Sequence, residues 1–250
     1  QSKKLVLYYS QFSATRNIAE QIKQLTGADI AAIRPVNDYP ADFQQTIDRC
    51  MQDMKTGKLP EIAQLGIDIA KYDTIFLGFP VWFGTYAPPI ATLIRDVDLD
   101  GKIVLPFCTF GSGGRVNSTN QLKANLPKAQ IGESFGIRNA RLANAATELP
   151  EYLKRVGAIA GDAEVLPEYS AMQEVGDNDK LIFEAATANY EMLKLTPLSV
   201  GCRTTANRTD YVFAANNQHP DGSMVKVMVY ITKQNDSNIT PEFTAVENVE

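Results

Sequence analysis

Histidine, tryptophan and cysteine are scarce in this chain of 250 residues, with one His, one Trp and three Cys. His219 lies in Asn216-Asn217-Gln218-His219-Pro220-Asp221-Gly222. That run reads as a loop tip, so His219 is a solvated turn residue rather than a catalyst. Cys50, Cys108 and Cys202 are too few for a disulfide framework and lack the paired spacing of a zinc site. They read as buried or idle thiols, with a single bridge left open. No catalytic or metal-ligating constellation stands out. Long apolar runs are absent too: segments such as Thr74 to Trp82 are short and bounded by polar residues. A membrane span needs about 18 apolar residues in a row. A basic excess is missing as well, and the net charge of −5 argues against a nucleic-acid surface. No Gly-x-x-x-x-Gly-Lys-Ser/Thr loop occurs, and no Gly-x-Gly-x-x-Gly follows a strand. Nor does the sequence begin with methionine. A removed secretion signal fits a start at Gln1 and favours export, periplasmic or surface-anchored, over the cytoplasm; trimming of the sequence fits equally well.

What remains is an ordinary globular composition, 44% hydrophobic and 21% charged, in a length that suits one large domain or two small ones. The first 160 residues alternate strand and helix signals. Lys4 to Tyr9 is a short apolar run; Ile18, Ala19, Ile22 and Leu25 then recur at helical spacing, and Gly27 closes the helix. Asp29 to Ile33 is a second strand, and Asp42 to Lys55 an exposed amphipathic helix with Phe43, Ile47, Met51 and Met54 as its apolar residues. Thr74 to Gly78 reads as a strand buried on both faces. Pro89 to Arg95 is a helix, Lys102 to Thr109 a strand, and Gln121 to Leu126 part of a helix. Gln130 to Gly136 begins a fifth strand, and Leu149 to Val156 is the last helix. Five strands alternating with helices predict a doubly wound α/β domain on a parallel sheet of order 2-1-3-4-5.

Residues 161–176, with small residues and Pro167, read as a linker, and the period changes after it. Leu181 to Leu193 suggests one helix, with Leu181, Ile182, Ala185, Ala186 and Tyr190 for its buried face. Met224 to Thr232 alternates, putting Val225, Val227, Val229 and Ile231 on one side, and Asp221-Gly222 precedes it as a turn. Pro197 to Thr205, Asp210 to Ala214 and Glu242 to Val249 are further strands. Residues 177–250 therefore form a small α+β domain, one helix and an antiparallel sheet.

In a doubly wound sheet, ligands bind beyond the carboxyl ends of the strands. Three loops lie there. Ser10-Gln11-Phe12-Ser13-Ala14-Thr15-Arg16-Asn17 offers three hydroxyls and the free amides of a helix start, which suit a phosphate as well as a plain N-cap. Pro80-Val81-Trp82-Phe83-Gly84-Thr85-Tyr86 carries the lone tryptophan, a wall for a planar ligand or part of the core. Thr109-Phe110-Gly111-Ser112-Gly113-Gly114 lets backbone approach a ligand closely, or makes a flexible turn.

The run Tyr8-Tyr9-Ser10-Gln11 with Thr15 and Ile18-Ala19, then Gly78-Phe79-Pro80-Val81-Trp82-Phe83-Gly84, then Pro106-Phe107-Cys108-Thr109 with Gly111-Ser112-Gly113-Gly114, resembles the flavodoxin family. More narrowly, it is similar to bacterial flavodoxins with a Pro-x-Trp-Trp-Gly loop. The resemblance implies a flavodoxin-like fold and FMN (flavin mononucleotide) as cofactor. It also implies that Ser10, Ser13 and Thr15, with the backbone of Phe12, Ala14 and Arg16, hold the phosphate. Trp82 would flank the flavin ring, with Pro80, Val81, Phe83 and Gly84 shaping that loop. Thr109, Phe110, Gly111, Ser112, Gly113 and Gly114 would follow the ring's pyrimidine edge. The chain departs from the family at two places: Phe12-Ser13-Ala14-Thr15 stands for Thr-Gly-Asn-Thr, and Phe83 for the second tryptophan.

The C-terminal order of helix and strands resembles the cystatin-like fold, without the Gln-Val-Val-Ala-Gly hairpin or second tryptophan of the protease inhibitors. Docking of a protein partner, or packing, is the expected role. For the whole chain two readings stay open. One is an FMN redox protein, either an electron carrier serving a redox partner protein or a reductase passing hydride from a nicotinamide to a quinone-like acceptor. The other is a binding protein with a degenerate flavin site that acts through its C-terminal domain.

Overall fold

A computed structural model describes residues 3–236 and 238–249, so Gln1, on which the reading of a removed leader turns, lies outside the described residues. The chain divides into two compact units, one of residues 1–111 and 115–163, the other of residues 112–114 and 164–250.

In the first unit, β1 (Lys4–Tyr8), β2 (Asp29–Ala32), β3 (Thr74–Trp82), β4 (Thr85–Tyr86), β5 (Ile103–Phe110), β6 (Gln130–Ile131) and β7 (Phe135–Arg138) alternate with helices. These are α1 (Ala14–Thr26), α2 (Phe43–Thr56), α3 (Pro88–Asp96), α4 (Arg115–Asn125) and α5 (Ala145–Arg155). The parallel order is β2-β1-β3-β5-β6, with β7 also on β5, and the short β4 turns back on β3. This is the expected 2-1-3-4-5 sheet, its fifth strand broken in two at Gly132-Glu133-Ser134. The inner strands β1, β3 and β5 are buried along most of their length, which only sequences rich in Val, Leu, Ile and Phe tolerate. One layer packs Ile18, Ala19 and Ile22 of α1 with Leu149, Tyr152 and Leu153 of α5 on Val6, Phe76 and Phe107. Burying one such side chain contributes about 1.5–3 kcal/mol, against about 1 kcal/mol for a helix cap. Packing therefore dominates over capping in holding these layers.

Two helical faces differ from the sequence reading. Leu25 is exposed, in the last turn of α1. In α2 the apolar Phe43, Met51 and Met54 face solvent while Thr46 and Cys50 are buried. The inner face of α2 is a polar one, fixed by bonds to the loop before it rather than by an apolar stripe. None of the three cysteines is in a disulfide; Cys50 and Cys108 are buried and Cys202 is exposed.

The second unit packs α6 (Asp177–Thr187) on an antiparallel sheet of order β12-β11-β10-β9-β8. Its strands are β8 (Gln173–Glu174), β9 (Lys194–Thr204), β10 (Arg208–Gln218), β11 (Met224–Gln234) and β12 (Glu242–Asn248). Ile182 and Phe183 meet Val200, Phe213, Val229 and Phe243 in its core. The helix starts earlier than the periodicity suggests, because the Gly176 amide donates to Asp179 Oδ2 at 2.9 Å and two acids sit in its first turn. It also stops earlier, and Leu181 is exposed. His219 sits in the β10–β11 turn, where its amide donates to Ser223 O at 2.8 Å, while Val225, on the same side as the buried Val227, Val229 and Ile231, is exposed near that hairpin tip. Residues 164–176 are tied to this sheet by Glu164 to Arg208, by the Ser170 amide to Cys202 O at 2.8 Å and by β8 on β9.

Residues 112–114 belong to this second unit. The Val246 amide donates to Ser112 O at 2.8 Å, and the Gly114 amide to Glu247 Oε2 at 3.1 Å. A Cβ on Gly113 would lie 1.7 Å from Val246 O, so only glycine fits.

Candidate functional site

The sheet order reverses between β1 and β3, the place where a doubly wound sheet opens a crevice. The loops after β1, β3 and β5 leave three adjacent strands at one end of the sheet: Tyr8 pairs with Gly78, Gly78 with Phe107 and Pro80 with Thr109, so β3 and β5 run on past the end of β1. All three sequence-derived loops therefore share one end of the sheet.

In the first loop, Ser10 works internally: its hydroxyl donates to Phe12 O at 2.5 Å and accepts from the Arg16 amide at 3.2 Å. Thr15 is buried, its hydroxyl 2.8 Å from that of Thr109, which ties this loop to the third. Ser13 is exposed at the N-cap of α1, with no side-chain cap bond and no acidic residue in the first turn. The leading amides of a helix have no partner inside it. Here Ser13 and the amides of Ala14 and Thr15 face that need, beside Arg16. An anion fits this start on charge and on donors. Phe12 is 60% exposed.

The second loop is a two-residue hairpin rather than an irregular loop. Val81 pairs with Tyr86 and Trp82 with Thr85, and the turn residues Phe83 and Gly84 have φ of 50° and 79°. Gly84 adopts this at no steric cost, whereas an L side chain such as Phe83 is strained by roughly 1–2 kcal/mol. Asn117 of α4 pins the turn by donating to Gly84 O at 2.8 Å. Pro80, Val81 and Trp82 are half-buried and Phe83 is exposed. Behind Trp82 stand two rings that the sequence reading did not select. Tyr9 meets it edge-on at 5.7 Å and Tyr39 at 5.0 Å between centroids. Burial holds both tyrosine hydroxyls well above their ordinary pKa, so they stay neutral.

In the third loop, Thr109 and Phe110 are buried, and Gly111 O accepts from Arg138 Nε at 2.9 Å. Ser112, Gly113 and Gly114 make the second-unit contacts given above. Further residues complete this end of the sheet: Gln11 donates to Pro40 O and Thr46 Oγ1, both at 3.0 Å, and Arg49 donates to Asp38 O and Asn37 O. They pair residues distant in sequence, which local pattern cannot show. Among the described residues no cluster of His, Cys, Asp and Glu could hold a metal ion, and no helix is long and apolar enough to cross a membrane.

An anion-ready helix start, a tryptophan on a pinned hairpin and a glycine-bearing loop at the switch point define a flavodoxin-type α/β domain. Residues 3–155 match the family described as Flavodoxin, and the chain belongs to that family. Among solved structures, a protein of Bacteroides uniformis named as a flavoprotein is similar at 27% identity, covering 60% of this chain and 98% of its own, with a TM-score of 0.53. One from Bacteroides eggerthii is 27% identical over 63% of this chain and 99% of its own, with a TM-score of 0.52. The fold also matches a Lactobacillus acidophilus flavoprotein solved in complex with FMN, at 24% identity, 59% of this chain, 100% of its own and a TM-score of 0.50.

Proposed function

We propose that this chain is a flavodoxin-family redox protein that binds FMN at the three loops. The observation that carries this reading is the exposed start of α1, where Ser13 makes no side-chain cap bond, at the same end of the sheet as Trp82 and Thr109. Ser13 and the amides of Ala14 and Thr15 hold the phosphate, and Ser10 keeps the loop in the shape that presents them. Trp82 flanks the ring, and the Thr109–Gly111 backbone lies along its edge. The FMN complex of the Lactobacillus relative supports the choice of ligand.

A bound flavin supplies electron or hydride transfer at its ring. The residues of the chain bind it, orient it and exclude water from one face. The neutral phenols of Tyr9 and Tyr39 place no charge beside the ring, and no side chain among these loops is a dedicated proton donor. The protein accordingly works as an electron carrier or as a reductase of a quinone-like acceptor, with a nicotinamide or a protein as donor.

Titration of the purified protein with FMN tests the binding. Trp82 fluorescence is quenched in proportion to bound flavin and the flavin absorption band shifts; at saturating FMN, an unchanged signal in both would remove the proposal. Anaerobic addition of NADH and NADPH then separates the two modes. Bleaching of the flavin within seconds marks a reductase, and bleaching only with a protein donor marks a carrier.

A further inference from the structure

We propose that Tyr39, held beneath the Arg49 guanidinium, is a positioning residue that fixes the plane of Trp82; its consequence for flavin rests on the reading given above. The observations begin with the segment before α2. Residues 37–40 have no regular structure, yet they are held from two sides. Arg49 Nη1 donates to Asp38 O at 2.8 Å and Nη2 to Asn37 O at 2.9 Å, so the planar fork of one guanidinium closes on consecutive carbonyls. Gln11 Nε2 donates to Pro40 O at 3.0 Å, and Thr46 Oγ1 donates to the same carbonyl at 2.9 Å. A backbone so anchored leaves Tyr39 little freedom.

The ring itself is then clamped. Arg49 Cζ lies 4.0 Å from the Tyr39 centroid, a cation over an aromatic face. Tyr39 stands at 79° to Trp82, and Tyr9 stands at 89° to it from β1's end. Edge-to-face pairs are directional, since the positive ring edge seeks the negative face. Two such contacts from separate parts of the chain select one indole orientation where packing alone would allow several. Tyr39 is 8% exposed, and its hydroxyl is buried with no hydrogen-bond partner among the described residues. A buried polar group without a partner is costly, so the hydroxyl adds nothing to the fold and the ring is the working part. The residue acts through Trp82, and α2 is coupled to the flavin wall through it.

The test uses the full chain without flavin first. Its lone tryptophan makes the tryptophan fine structure of near-ultraviolet circular dichroism, and fluorescence quenching by acrylamide, reports on Trp82 alone. Tyr39→Leu is expected to lose most of that fine structure and to raise the quenching constant, whereas Tyr39→Phe keeps both. Arg49→Met, which retains the stem but not the fork, falls between them. Far-ultraviolet dichroism and melting establish that each variant is folded, and Arg49→Met carries the test if Tyr39→Leu is not. With flavin, Tyr39→Leu weakens FMN and riboflavin by the same factor, about tenfold, because the lost ring contact is common to both. Folded Tyr39→Leu and Arg49→Met with unchanged tryptophan signals would overturn the proposal, as would a Tyr39→Phe variant as damaged as Tyr39→Leu. If the wild type binds no flavin, the functional reading fails while the flavin-free signals still decide the role of Tyr39.

Discussion

Two threonines close the floor between the first and third loops. Thr15 and Thr109 are both almost fully buried, and their hydroxyls share one hydrogen bond at 2.8 Å. Valine preserves the shape of either side chain but leaves the other hydroxyl without its partner, which costs about 1–3 kcal/mol. Thr15→Val and Thr109→Val should therefore each lower Tm by several degrees, while the double variant should lose less than the sum of the two. Thermal melting of the four proteins checks this, and strict additivity would show that the two hydroxyls do not interact. The exposed Ser13 belongs to a different balance, since it caps nothing and is surplus to the fold. Ser13→Ala should leave Tm within a degree or so and weaken FMN by about 1.5–3 kcal/mol, the worth of a hydrogen bond to a charged group, with riboflavin unaffected. Calorimetric titration with the two flavins reads the difference, and an equal loss for both would place Ser13 away from the phosphate.

At the scale of elements, the sequence is legible wherever burial is symmetrical. Thr-Ile-Phe-Leu-Gly and Leu-Val-Leu-Tyr-Tyr announce inner strands because both faces of a parallel sheet are covered. The broken β6–β7 edge was harder to bound, since an edge strand has fewer constraints on its length. Helix α2 was legible as a helix but not as to its inner face. Thr46 and Arg49 turn inward because each bonds a carbonyl of the preceding loop, and Cys50 is buried beside them, while Phe43 and Met54 face solvent. The three candidate loops could be found from composition, because glycine, hydroxyl and aromatic residues cluster at strand ends. The rings behind Trp82 could not, since Tyr9, Tyr39 and Trp82 meet only through tertiary packing. The same holds for Gly113. Its need for glycine looked like room for a ligand, and in the structure Val246 O occupies that room.

For the molecule as a whole, buried phenols set the alkaline limit. Burial raises the pKa of Tyr9, Tyr39 and Tyr152 above the ordinary value of 10.0. With folded values above unfolded ones, the unfolded chain releases protons first as pH rises past about 10, so stability is complete below that and falls above it. These tyrosines should remain protonated in the folded protein and ionise only with the unfolding transition. Absorbance titration of phenolate alongside circular dichroism checks the coincidence, and early ionisation of every tyrosine with the fold intact would contradict it.

The second unit has a property that follows from its membership, residues 112–114 and then 164–250. It is written in two instalments. During synthesis its first three residues leave the ribosome long before the strand that binds them. Gly114 and Glu247 are 133 residues apart, so these first residues gain their strand partner only after that length of chain has been made. A gene cut after residue 163 would still encode every strand of the parallel sheet, whereas a gene beginning at residue 164 would encode a unit missing three of its own residues.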